Sequence, residues 1–95
     1  SLDEKYSEIS SPKIDLIIDS IKKYENEKNK ILLFTIVFLI EKFYYELCFK
    51  NMNNLNHLIF KYKYIIKQLY NLKKFNLNEK VTLKSIAHIL YNEAR

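Results

Sequence analysis

Hydrophobic and polar positions along this chain alternate with a helical rhythm, and the densest apolar stretch is Ile31–Ile40, ILLFTIVFLI, ten residues without a charge. A buried strand usually stops at ~4–8 residues. Here no glycine or proline interrupts the run, which passes directly into EKFYYELCFK. Ile36, Ile40, Phe43, Tyr44 and Leu47 then form an i, i+4, i+7, i+8, i+11 stripe. Thr35, Lys42, Glu46 and Lys50 gather on another face, the last two at the favourable i, i+4 spacing. The pattern predicts one helix over about 29–50, apolar all round at its start and amphipathic later. Such a helix is normally a buried centre or a membrane span. A span needs ~20 apolar residues, and widening this run to 19 admits Glu41, Lys42 and Glu46, so the buried centre is expected. Phe34, Phe38, Tyr45 and Phe49 add a stripe of rings, expected as core, which implies neighbours on more than one side of this helix.

The same rhythm recurs on either side. Ser11–Pro12 has the form of a helix start, with Ser as cap and Pro in the first turn, where its missing N–H costs nothing. Ile14, Ile17, Ile18, Ile21 and Tyr24 follow at helical spacing and predict a first helix over about 12–24, preceded by a polar, acidic arm at 1–11. Leu55, Leu58, Ile59, Tyr62, Ile65, Ile66, Leu69 and Tyr70 predict a third helix over about 55–73, with Asn54 as its cap. Leu83, Ile86, Ala87 and Leu90 mark a fourth over about 79–93. Its start is open between Asn76, in a capping box with Glu79, and Thr82. Short polar connections and no internal repeat make this an all-α, single-domain four-helix bundle around a buried central second helix.

Composition sharpens that picture. Apolar residues make up 48% of the 95 and fourteen are aromatic, which suits a packed core. Glycine is absent, so Walker-type loops, dinucleotide fingerprints and nucleophile elbows are excluded. Ten asparagines are the next-best occupants of left-handed turns. The lone cysteine, Cys48, rules out an internal disulfide and a cysteine-based zinc site, and is expected as a small hydrophobe. His57 and His88 lack metal-ligand spacing. No catalytic constellation, cofactor motif or secretory leader is visible, so a non-enzymatic, intracellular protein is expected. The formal charge of +5 is uneven: nine acids against eight bases in residues 1–50, two acids against eight bases in 51–95.

The candidate interaction surface follows from that asymmetry. Phe60 and Tyr64 stand i, i+4 apart on the third helix, opposite the Leu55/Ile59/Tyr62/Ile66 stripe, with Lys61, Lys63 and Lys67 around them. Rings among lysines anchor a protein partner or stack bases while neutralising phosphates, unless another element covers the face. Fifteen of the sixteen bases are Lys, which contacts phosphate but does not read bases as Arg does, so direct DNA contact is the weaker alternative.

The apolar second helix (31–49), the helix NLNHLIFKYKYIIKQLYNL (54–72) and the closing TLKSIAHIL (82–90), in a Lys-, Asn-, Ile- and Tyr-rich chain, resemble the ACDC domain. That is the small helical domain of apicomplexan, malaria-parasite transcription factors that carry plant-like, Apetala-type DNA-binding domains. The resemblance implies an orthogonal four-helix bundle in a nuclear regulator whose DNA reading lies elsewhere. This chain would then meet protein partners of a transcription complex. It carries over no defined site motif.

Overall fold

The computed structural model describes the backbone of residues 2–75 and 78–94 and the side chains of residues 14–72 and 78–94. Four helices form: α1 (Leu2–Glu27), α2 (Lys30–Lys50), α3 (Leu55–Phe75) and α4 (Glu79–Ala94). The all-α bundle expected from the sequence is therefore present. Helix packing is cyclic: α1 lies against α2 and α4, and α3 against α2 and α4, while among the described residues the diagonal pairs make no backbone approach. End contacts fix the directions. Lys28, just past α1, pairs with Glu79 at the start of α4, and Lys61, early in α3, pairs with Glu93, late in α4. Neighbouring helices thus run in opposite senses.

Each helix buries one stripe in a common core. Ile14, Ile17, Ile18, Ile21 and Tyr24 of α1 face Ile36, Ile40, Phe43 and Tyr44 of α2 across it, joined by Leu58, Ile65 and Leu69 of α3 and Leu83, Ile86 and Leu90 of α4. The Phe43 and Tyr44 rings meet edge-on with centroids 5.4 Å apart. No polar residue is buried among the described residues.

Several boundaries differ from the sequence expectation. α1 begins at Leu2, so the predicted arm at 1–11 is helical from Leu2 on. Ser11–Pro12 was read as a start because proline suits a first turn. Here Pro12 lies inside α1, a position where proline loses one i→i−4 bond and crowds the carbonyl of the preceding turn, which is why it was not expected there. NMNN is not an open loop: Met52–Asn54 is a 3-10 turn that places Asn54 directly before α3 and runs straight into Leu55, whose φ and ψ of −55° and −46° are helical. α4 begins at Glu79, ahead of the proposed cap Thr82. Asn78 precedes it, its carbonyl accepting from Thr82 N at 3.1 Å and its side chain from Val81 N at 3.5 Å, while Asn76 lies outside the described residues.

The α1–α2 turn is two residues, Lys28 and Asn29. Lys28 takes φ of +55°, the left-handed conformation that glycine or asparagine would fill most easily. Its N–H donates to Tyr24 O at 2.8 Å and closes α1. Asn29 then caps α2, its side chain accepting from Ile31 N at 2.9 Å.

Candidate interaction surface

A ring of four helices gives each helix two neighbours, and that decides the fate of α2. Its midline stripe is buried, with Ile36 and Ile40 at 0% exposure. Neighbours do flank α2 on two sides, but the expectation that its ring stripe is core is corrected: Phe34 (66%), Phe38 (55%), Tyr45 (71%) and Phe49 (68%) face solvent, as does Ile31 (71%). The reason is geometric. α1 and α3 cover two flanks, α4 lies diagonally across the core, and no other described helix packs on the outer side. Met52 extends the same line at 66% exposure. Four rings of ~150–250 Å² each, all more than half exposed, present ~500 Å² of apolar surface, within the ~300–600 Å² at which a monomer's largest patch is often functional. Lys42 sits in this face with its Nζ 5.2 Å from the Phe38 ring centre, a cation–π contact.

The face continues onto α3. Ile59 and Tyr70, expected as core, are exposed at 42% and 67%, and Tyr62 and Ile66 are half-buried. The buried line of α3 is instead Leu58, Ile65, Leu69 and Leu72, so the helix is rotated from the expected stripe toward its α4 side. An apolar valley results between α2 and α3, deepened at both ends. One groove of ≈ 170 Å³ lies among Lys30, Phe34, Val37, Ile66 and Tyr70. The other, of ≈ 270 Å³, lies among Glu41, Tyr45, Cys48, Ile59 and Tyr62. Cys48 is half-buried in the wall of the latter and packs against the core.

Of the predicted site residues, Phe60 and Tyr64 are exposed at 70% and 43%, so no other described element covers them. Lys63 and Lys67 are exposed beside them. Lys61 departs from the group: its Nζ lies 2.6 Å from Glu93 Oε1, and it ties α3 to α4. His57 and His88 are exposed, and His88 Nε2 lies 3.2 Å from Asn92 Nδ2. Among the described residues no three His, Cys, Asp or Glu side chains come together as a metal site, and no helix is long and apolar enough to cross a membrane.

Perturbed groups cluster behind the valley. Burial pushes the Tyr44 hydroxyl well above the ordinary tyrosine range, and the nearby Glu93 and Cys48 charges add to the rise. Burial also raises Tyr62, helped by Glu41. For both rings desolvation by burial is the largest cause, and the neighbouring carboxylates act in the same direction. Comparison with protein-family profiles, curated proteins and solved structures finds no match.

Proposed function

We propose that this chain is a non-enzymatic helical interaction domain that docks a protein partner on its α2–α3 face. Following the ACDC resemblance, its setting is an apicomplexan transcription regulator in the nucleus, with DNA reading assigned to a separate domain. The observation that supports docking is the solvent exposure of the α2 rings, from Phe34 through Phe49, in a domain whose core is otherwise complete. Interfaces take most of their energy from a few aromatic anchors inside a polar rim, and here rings and lysines stand in that relation.

A second reading draws on Phe60 and Tyr64 with Lys63 and Lys67, all exposed on the outer side of α3. Rings and cations so placed suit stacking on single-stranded bases with phosphate neutralisation. Two measurements separate the readings. Benzoylphenylalanine in place of Phe38 is expected to cross-link protein in nuclear extract, and the same probe in place of exposed Lys84 on α4 is not. Fluorescence anisotropy with DNA is expected to show only weak binding, Kd of ~10⁻⁴–10⁻⁶ M, that fades with salt. Tight, sequence-dependent DNA binding at physiological salt, with no protein cross-link from position 38, would sink the protein-docking reading.

A further inference from the structure

The α2–α3 valley also carries information about what fits it. We infer that its occupant is an acidic amphipathic helix, laid with its apolar side between the α2 rings and the Ile59/Tyr70 edge of α3, its carboxylates on a lysine rim. The inference rests on the protein-docking reading above and adds the chemistry of the partner.

Shape comes first. Residues 2–27, 30–50 and 55–75 are helical, so the face offers side chains and no strand edge for an extended peptide to pair with. Recognition must therefore be side chain to side chain. The two grooves are separated along α2 by the interval from Phe34 to Tyr45, eleven residues. At 1.5 Å per residue that is ~16 Å, or three helical turns. Anchors at i, i+4, i+7 and i+11 of a docked helix span the same distance, so one helix reaches both grooves.

Charge selects among helices. Lys30 lines one groove, Lys42 stands in the α2 face, and Lys63 and Lys67 follow Ile59 and precede Tyr70 on the adjoining side of α3. Glu41, in the second groove, is the opposing acid. A second copy of this chain would bring the same lysines against themselves in a chain of formal charge +5, and like charges across an interface cost several kcal/mol. An anionic helix meets no such penalty, because its carboxylates answer the rim while its apolar side fills the grooves.

The test uses the whole 95-residue chain. A displayed library of helices carries fixed leucine and phenylalanine at i, i+4, i+7 and i+11, with every outward position randomised between Glu and Lys. Selection is expected to enrich Glu. The synthetic winner, labelled for anisotropy, is expected to lose at least tenfold in affinity when Lys42→Glu and Lys63→Glu are combined. A similar loss is expected with Phe34→Ala and Tyr70→Ala together, with folding confirmed by circular dichroism. Lys-enriched winners, winners unaffected by those variants, an empty selection, or dimerisation through the α2 face seen by sedimentation would each overturn the acidic-helix inference. None of these alone removes the protein-docking reading, which fails on the cross-linking and DNA measurements instead.

Discussion

Two phenylalanines five residues apart on α2 give the sharpest test of the fold, because the structure assigns them opposite roles. Phe43 is 1% exposed and Phe38 is 55% exposed. Phe43→Ala removes a ring enclosed by core, at ~3–5 kcal/mol including the cavity left behind. For Phe38→Ala, less than half of the ~1.5–3 kcal/mol of full burial is at stake. The higher helix propensity of alanine returns ~0.5 kcal/mol, and loss of the Lys42 contact costs ~0.5–1 kcal/mol. The net expectation is ~1 kcal/mol. A domain of this size holds ~5–15 kcal/mol in total, so Phe43→Ala removes at least about a fifth of it. With ~1.5 kcal/mol per molar urea, the midpoint followed by circular dichroism falls by ~2–3 M for Phe43→Ala and by less than ~1 M for Phe38→Ala. Equal shifts would mean that the α2 ring face is covered after all, and the open valley would not exist.

Other expectations follow from single groups. Tyr44 is buried, and its hydroxyl has no hydrogen-bond partner among the described residues, so Tyr44→Phe is predicted to raise stability by ~1 kcal/mol in the same urea assay. Burial raises Tyr24, Tyr44 and Tyr62 above the ordinary 10.0, so the unfolded chain releases these protons first. Their contribution is therefore complete below pH 10 and is lost as pH rises beyond it, and a pH series of urea midpoints should fall there, less steeply in Tyr44→Phe. Lys61→Ala leaves Glu93, with 11% side-chain exposure, without its cation and is predicted to cost ~1 kcal/mol; Lys63→Ala should stay within ~0.5 kcal/mol.

What the sequence disclosed, and what it hid, divides along the same line as burial. Helical spacing alone located the core of α1, since Ile14, Ile17, Ile18, Ile21 and Tyr24 are all buried. It also located Leu83, Ile86 and Leu90 on α4. Both helices carry a single apolar stripe, and one stripe has one reading. α2 carries apolar residues on every side, and periodicity cannot tell a covered face from an open one. The number of helices could have told. With three partners arranged in a ring, the helix diagonally opposite α2 never reaches its outer side, so an all-round apolar helix must show rings to solvent. On α3 the miss was one of phase. Ile59 and Tyr70 fit the apolar stripe as well as Leu72 does, and which edge is buried depends on where α4 lies. At Lys28, the lack of glycine pointed to asparagine for a left-handed turn, yet the sequence places Asn at 29, where it caps α2. One polar residue cannot serve both positions of a two-residue turn.

The valley is electrically polar as well as apolar, and that fixes how a helix should lie in it. Lys30 lines the groove at the start of α2, and Glu41 lines the groove toward its end. A helix carries partial positive charge at its N-terminus and partial negative charge at its C-terminus, each worth ~0.3–1 kcal/mol against a nearby opposite charge. An occupant therefore gains at both ends when its C-terminus faces Lys30 and its N-terminus faces Glu41, antiparallel to α2 and parallel to α3. A nitroxide on the C-terminus of the selected helix should broaden the amide signals of residues near Lys30 and spare those near Tyr45, and an N-terminal nitroxide should do the reverse. Broadening in the opposite order would show that the dipole does not decide the orientation. Charge reversal at Lys30 and Glu41 together inverts the preference without touching the rings, so the broadening should then appear in the opposite order.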